Sequence, residues 1–356
     1  MKKRMKYAAV LLLAVLLTAT AALPAAAAFP DLQKTCDSAA SPVGAAIVYN
    51  LTDDVILYEK NGTKSIRVAS ITKVLNACTA AQFLKANDAI TVGSELSLMY
   101  WNSSTAPVYY GERYTFEQLL HAMLLPSGCD AAYVLAAAAG RKAKGDSSLS
   151  ARAAIDAFIA EMNKFLKSLG CNNSHFVNPD GQDASNQYTT CEDYLKVLKY
   201  AVEHPLISSV IRKAAYDCYD LNGKYHYWYT TNVMHDVYPG TIGIKTGTTD
   251  LAGYCVAAAA RRNGKTMISL VVNAPSHSSR YTVSINLLNA AFAYRVKGDA
   301  DYDFRVTPED ARLTLRATVG LEDFDDAALH CADMDGDGVI TPEDARRILR
   351  LSVGLK

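Results

Sequence analysis

Several features are missing from this 356-residue sequence. There is no charge imbalance, since 36 Lys and Arg stand against 36 Asp and Glu. A neutral chain has no electrostatic footprint for nucleic acid, so that class of partner is excluded. There is no Cys-x-x-Cys pair and no cluster among the seven histidines, which excludes the usual zinc spacings. The eight cysteines (36, 78, 129, 171, 191, 218, 255 and 331) are dispersed. Export would permit disulfides, but a fold this large does not need them, and no pairing is legible. Beyond residue 28 no apolar run is long enough to span a bilayer.

The first 28 residues have their own logic. Lys2, Lys3, Arg4 and Lys6 precede an apolar core from Ala8 to Leu17, and Pro24 to Ala28 offers small-residue cleavage sites. This is the pattern of a secretory signal peptide. It predicts an exported, soluble mature protein, secreted or extracellular and associated with the cell wall. At 50% hydrophobic and 20% charged residues, the remainder has ample core for two domains. The charge balance is uneven along the chain. From Gly298 onward 14 acidic residues face 7 basic ones, a local net of −7, so cation ligands are to be sought there.

The stretch Ser70-Ile71-Thr72-Lys73 opens an apolar segment running to about Lys85. Ile71, Val74, Leu75, Cys78 and Ala81 keep a helical rhythm with one buried face. Ser70 then falls near a helix N-terminus, with Lys73 one turn later on the same face. First-turn N–H groups can face an anion there, and the amine can take the hydroxyl proton, which requires its neutral form. Alone, Ser-x-x-Lys is expected about once by chance in a chain this long. Two later stretches change that. Ser127-Gly128-Cys129 lies on a loop between helices, and Lys245-Thr246-Gly247 lies on a strand.

Around these motifs, Val43–Tyr49 and Val55–Glu59 flank a polar turn as a β-hairpin. Thr115-Phe116-Glu117-Gln118 reads as a capping box for a helix ending before Pro126. Ala131–Ala139 and Ala151–Leu169 read as helices. A Tyr-rich segment, Tyr225–Tyr238, leads into the Lys245 strand. Gly253–Ala260 and Lys265–Ala274 pair around Asn263-Gly264, and Ser278–Val296 closes the domain as a helix. The two ends supply one antiparallel sheet and the middle is helical, an α+β arrangement.

The set Ser70-x-x-Lys73, Ser127-Gly128-Cys129 and Lys245-Thr246-Gly247 is that of penicillin-binding proteins and class A β-lactamases. IRVASITKVLNACTA, YTFEQLLHAMLLPSGCDAAYVLA, HFVNPDG, NQYTT and YPGTIGIKTGTTDLAGYCVAAAARRNGKTMISLVV resemble the serine D-alanyl-D-alanine carboxypeptidases, the low-molecular-mass penicillin-binding proteins, over roughly residues 40 to 280. The resemblance implies a β-lactamase-like α+β fold, peptidoglycan stem peptides ending in D-Ala-D-Ala as substrate, no catalytic cofactor, and covalent inhibition by β-lactams. It also implies the roles. Ser70 is the nucleophile, Lys73 its base, and Ser127 the relay to the leaving amine. Lys245 and Thr246 hold the substrate carboxylate. Gly247 leaves room for the substrate backbone at the strand edge. The N–H groups of Ser70 and Thr248 form the oxyanion hole. The alternatives are a β-lactamase, whose deacylating carboxylate has its nearest candidate in Glu192, and a weakly active peptidoglycan-sensing protein.

Two departures stand out. Cys129 occupies the place of the family's usual Asn, and a thiol is a weak donor and acceptor. Gln187 replaces a frequent His. Ser284-Ile285-Asn286 matches Ser-x-Asn but lies on the final helix, after the Lys-Thr-Gly strand, and is set aside. His121, His226 and His235 are given no chemistry.

The tail repeats itself. GDADYDFRVTPEDARLTLRATVGLE aligns with ADMDGDGVITPEDARRILRLSVGLK. Loop positions 1, 3, 5 and 12 are Asp299, Asp301, Asp303 and Asp310, then Asp333, Asp335, Asp337 and Asp344. Position 7 offers the carbonyls of Arg305 and Val339. The spacing suits two structural Ca²⁺ ions. Thr307 and Thr341 read as N-caps before Pro308 and Pro342. One helix follows each loop, and the repeat resembles a type I dockerin module over about 298 to 356, which implies a cohesin-bearing scaffold as partner. Gly338 suits the sharp turn; Phe304, at the matching position, does not. Arg312, Arg316, Arg346 and Arg350 fall on matching helix faces as candidate contacts. No Ser/Thr/Pro linker precedes the module, so an intramolecular cap is the other reading. The expected domains are 1–28, 29–297 and 298–356.

Overall fold

The structure is a computed structural model and describes residues 31–355. The signal-like stretch lies outside them. The chain divides into two compact units, one ending at Tyr294 and one beginning at Arg295.

In the larger unit, α1 (Leu32–Ala40) precedes the hairpin β1 (Ala45–Asn50) and β2 (Val55–Lys60). A 3₁₀ turn, Ala69–Ile71, leads into α2 (Thr72–Ala80). Next come β3 (Ala89–Thr91), β4 (Arg113–Thr115), α3 (Phe116–Leu124), α4 (Cys129–Lys144), α5 (Ala151–Ser168), α6 (Cys191–Glu203) and α7 (Pro205–Ile211). They are followed by β5 (Ala215–Tyr219), β6 (Tyr225–Tyr229) and α8 (Met234–Val237). The strands β7 (Thr241–Thr249), β8 (Gly253–Arg262) and β9 (Lys265–Ala274) and the helix α9 (His277–Ala293) complete the unit.

The main sheet is antiparallel, in the order β2-β1-β9-β8-β7. All of β1 and the centres of β7, β8 and β9 are buried, as expected of strands covered on both faces. Helix α9 packs on β8 and β9, with α1 against α9; α6 packs against β1. The helical region is built on α2, which touches α3, α4, α5 and α6 and is buried along its whole length. Thr72, Lys73, Asn76 and Thr79 are therefore buried along with the apolar positions, rather than lying opposite a single buried face. Helices α4 and α5 meet most closely at Gly140, where a Cβ would sit 1.9 Å from the Ala154 carbonyl oxygen.

The expected capping box at Thr115 is present: its hydroxyl accepts from Gln118 N, and the Gln118 side chain accepts from Thr115 N. Such a cap is worth about 1 kcal/mol. The β8–β9 turn has Asn263 at φ 47° and Gly264 at φ 78°, the backbone that an Asn-Gly hairpin needs.

Four expectations need correction. Helix α2 stops at Ala80 rather than near Lys85, because the chain turns at Ala81–Phe83 with short i→i−3 bonds. Helix α9 ends at Ala293, not Val296. The middle of the chain is not purely helical: β3 pairs with β4, and the alternation Tyr-His-Tyr-Trp-Tyr builds β6 against β5. In the smaller unit, α11 (Asp326–Ala332) stands between α10 (Pro308–Ala317) and α12 (Pro342–Ser352), so the second acidic loop has a helix on both sides. A small core of Ala311, Ala332 and Ile348, with Val306, Phe324, Met334 and Ile340 against it, holds these helices together.

Among the described residues, no helix is long and apolar enough to cross a membrane. All eight cysteines are free thiols.

Candidate active site

The structure brings together residues that the sequence keeps far apart. Ser70 sits in the 3₁₀ turn, just before α2, and Lys73 is in the first turn of that helix. Lys73 is wholly buried. Its Nζ donates to Ser70 Oγ at 2.9 Å and to the Asp180 carbonyl at 2.9 Å. The amine is thus fixed against the Ser70 oxygen by an acceptor 107 positions away.

That acceptor belongs to the 177–189 loop, whose shape is set by two residues. At Gly181, φ is +96° and a Cβ would lie 1.9 Å from the Ala69 carbonyl oxygen, so only glycine fits against the serine turn. Gln187 is buried. Its Oε1 accepts from Val177 N and Asn178 N, and its Nε2 donates to Asn178 Oδ1 and the Gln182 carbonyl. Gln187 therefore staples the loop that presents Asp180.

Ser127 stands between α3 and α4 at φ +69°, a left-handed conformation rare outside glycine. The Ser104 hydroxyl donates to its carbonyl at 2.6 Å, and Cys129 N donates to the Ser104 carbonyl at 2.8 Å. Asp130 fastens the same loop by accepting from Ala106 N and Val108 N. Cys129 is 3% exposed, with its Sγ 3.6 Å from Ser104 Oγ. Burial pushes its thiol pKa up, while the charge of Lys73 opposes that shift. A buried thiol kept protonated is not the activated type.

Strand β7 forms the opposite side. Lys245 is 1% exposed and donates to the Thr246 carbonyl at 3.0 Å. Burial first, then the charge of Lys73, pushes its ammonium well below the usual lysine range. Thr246 Oγ1 is 2.6 Å from Thr231 Oγ1. A Cβ on Gly247 would meet Val68 O at 2.7 Å and Ser70 N at 2.9 Å. The close approach at Gly247 is therefore between β7 and the chain's own serine turn. Arg280 on α9, which the sequence reading missed, is buried behind this strand. Its Nη1 donates to Thr248 Oγ1 at 3.2 Å and to the Gly247 carbonyl at 3.3 Å. Its position early in an ordinary-looking helix gave no sequence signal.

The set-aside residues lie elsewhere. Ser284 Oγ is paired with Ser269 Oγ inside the fold. Burial, then the neighbouring charge of Glu192, raises the carboxyl pKa of Glu59, and no described hydrogen bond joins Glu192 to Ser70. His121 is stacked 3.7 Å from Tyr216. His226 lies between Asp220 Oδ2 and Tyr114 OH, in a satisfied network with Glu112.

A family model for D-alanyl-D-alanine carboxypeptidases (peptidase S11) matches residues 33–276. The chain belongs to this family. The D-alanyl-D-alanine carboxypeptidase of Streptomyces sp. strain K15 is 31% identical over 246 residues, 67% of this chain and 82% of that protein. DacF of Bacillus subtilis strain 168, also a D-alanyl-D-alanine carboxypeptidase, is 26% identical over 277 residues, 76% of this chain and 67% of that protein. The crystal structure of the Streptomyces K15 DD-transpeptidase matches with a TM-score of 0.66 at 30% identity, over 71% of this chain and 98% of that one. The larger unit thus has the penicillin-binding, β-lactamase-like α+β fold, and the protein is a serine-type hydrolase that needs no catalytic cofactor.

In the smaller unit each acidic loop gathers three of its four expected aspartates, the first without Asp310 and the second without Asp337. Carboxylate oxygens of Asp299, Asp301 and Asp303 lie within 4.8 Å of one another, as do those of Asp333, Asp335 and Asp344. An all-oxygen set of this size fits a hard divalent cation. Burial, then the charges of Asp310, Asp301 and Asp303, pushes the Asp299 carboxyl up to about 7, the mark of acids crowded without compensation. Asp310 accepts from Ala300 N, Thr307 N and Thr307 Oγ1, and Asp344 from Met334 N, Thr341 N and Thr341 Oγ1. Asp337 accepts from Val339 N. Arg305 and Val339 follow the turn residues, which take φ +66° at Phe304 and +86° at Gly338. Arg312 and Arg346 are paired with Glu309 and Glu343 on their own helices, and Arg316 with Glu322.

Proposed function

We propose that this enzyme removes the terminal D-alanine from peptidoglycan stem peptides through an acyl-enzyme on Ser70. The observation that carries this is the Lys73 amine, buried and held 2.9 Å from the Ser70 hydroxyl. Lys73 takes the proton as Ser70 Oγ attacks the carbonyl between the two D-alanines. Negative charge on that oxygen is met by the N–H groups of Ser70 and Thr248. Ser127 passes a proton to the amine of the departing D-alanine. Lys245 and Thr246, backed by Arg280 through Thr248, hold the free carboxylate, whose charge offsets the repulsion among these cations. Water, or an amine in transfer, then takes the acyl group from Ser70. Penicillin enters by the same route, its ring amide opening onto Ser70.

Mass spectrometry tests this. After incubation with penicillin the wild type should gain the mass of one adduct and Ser70→Ala none, and a diacetylated Lys-D-Ala-D-Ala peptide should lose one alanine only with the wild type. An adduct on Ser70→Ala sinks the assignment. Rapid turnover of a chromogenic cephalosporin would favour a β-lactamase instead.

For the smaller unit, the reading is a calcium-binding, dockerin-like module. Asp299, Asp301, Asp303, Asp310 and the Arg305 carbonyl would hold one Ca²⁺, and Asp333, Asp335, Asp337, Asp344 and the Val339 carbonyl a second. Calcium would supply the charge that the crowded acids lack. A cohesin pull-down with and without chelator tests the partner; retention on no cohesin leaves the unit as a calcium-stabilised cap. The N-terminal pattern supports export to the cell-wall side of the membrane, which N-terminal sequencing of the mature protein would check.

A further inference from the structure

The β5–β6 hairpin has one face with a structural task and one without. Inward, Tyr216 stacks on His121, His226 stacks on Trp228, and the Trp228 indole donates to the Ala106 carbonyl at 2.8 Å. Outward, the register places Tyr219 opposite Tyr225, Asp217 opposite Tyr227 and Ala215 opposite Tyr229. The four outward tyrosines are 52 to 67% exposed. The rings of Tyr219 and Tyr225 are 5.5 Å apart and those of Tyr227 and Tyr229 are 6.4 Å apart. Strand propensity explains a tyrosine or two. It does not require four on the wet side, where threonine would serve the strand without exposing aromatic surface.

We propose that this tyrosine face is a binding platform for the glycan strand of peptidoglycan. The chemistry of the face selects the ligand. Asp217 is its one charged group, so it offers nothing to a polyanion. Tyrosine presents an electron-rich ring face and a hydroxyl together, which suits a sugar: C–H groups stack on the ring while hydroxyl and acetamido groups take hydrogen bonds. The location selects it again. Beyond the end of β6 the chain reaches the site at once: Thr231, two residues past Tyr229, is the residue whose hydroxyl meets Thr246. At ~3.4 Å per residue, the tyrosines from 229 back to 225 lie roughly 7 to 20 Å of chain from that point. A stem peptide of five residues reaches about 17 Å at most. A glycan carrying a stem peptide in the groove therefore passes within reach of the platform. This inference rests on the peptidoglycan reading above and adds where the polymer lies.

The test uses the full chain and the triple variant Tyr225→Ser, Tyr227→Ser, Tyr229→Ser, with the corresponding triple Phe variant as the conservative control. Co-sedimentation with glycan strands stripped of their stem peptides by an amidase is the first readout. The wild type and the Phe variant should bind, and the Ser variant should lose at least about tenfold in affinity. Kinetics form the second readout. On the short diacetylated peptide all three should be alike. On glycan-linked stem peptides the Ser variant should show a KM raised about tenfold with kcat unchanged. No binding of stripped glycan by the wild type, or equal binding by the Ser variant, overturns the platform. So does a concentration-dependent dimer that disappears in the Ser variant while glycan binding does not. Failure of the wild type to turn over the short peptide or to take up penicillin would instead strike the proposed function, so the two failures are told apart. Penicillin uptake by the Ser variant establishes that it is folded.

Discussion

The two units build their sites in opposite ways. In the larger unit the groups that meet are far apart in sequence: Lys73 is held by a carbonyl 107 residues on, and Gly247 packs on the turn that carries Ser70. In the smaller unit the carboxylates of each cluster come from a dozen residues of one loop, around a small core cluster of Ala311, Ala332 and Ile348. A site made of distant segments draws its geometry from the whole fold and needs no ion. A site made within one loop has little packing to hold repelling acids together, and a cation is the natural source of the missing stability.

The largest effect that would sharpen this contrast is the loss of one atom. Ser70→Ala should abolish penicillin labelling while leaving the melting temperature within a degree or two, since a half-buried hydroxyl contributes little to packing. Next is Gly181→Ala. With a Cβ forced against the Ala69 carbonyl, we expect a loss on the order of 3 kcal/mol or more and a slower penicillin acylation, because Asp180 is the neighbouring residue. Normal stability and acylation would show that the site is less dependent on remote segments than the geometry states.

A third test concerns pH. Burial holds His121 down at about 4, against about 6.5 in an unfolded chain. The unfolded state therefore binds the proton more readily. The contribution of His121 is fully present above pH ~6.5 and is lost as pH falls toward 4, amounting to on the order of 3 kcal/mol. From denaturant midpoints, the wild type should lose stability relative to His121→Phe as pH falls across that window; parallel curves would refute the account. Calcium removal comes next. Chelation should cost the smaller unit about 2.7 kcal/mol per site, if calcium had been present at a hundred times its dissociation constant, seen as faster proteolysis after residue 295. Penicillin labelling should be unchanged, and a parallel loss of labelling would break the contrast. The smallest effect is Phe304→Gly. Relieving a left-handed phenylalanine should tighten calcium at the first loop by up to about tenfold, corresponding to about 1.4 kcal/mol, read by calorimetry.

What could be read in the sequence follows the same division. Ser70 with Lys73, and the acidic loops with their Thr-Pro caps, are local patterns, and spacing exposes them. The Asp180 carbonyl is a backbone group with no side-chain signature, so its hold on Lys73 could not be foreseen. Arg280 was missed because its partners, Thr248 and Gly247, are more than thirty residues away on a strand. Gln187 was noticed only as a departure; its four hydrogen bonds, which set the loop, depend on a turn that exists only in the fold. The alternation in Tyr225–Tyr229 was a strand signal inside a stretch read simply as Tyr-rich, and the short β3 and β4 are too brief for any periodicity to reveal.

Eight thiols and no bridge make folding a race. Seven of them are buried in the native molecule. The unfolded chain has no such shelter, and eight cysteines can pair in 105 ways if all bridge. A protein made this way is robust to oxidising surroundings only after it has folded, so recovery from denaturant should be near complete with a reductant present and poor without one.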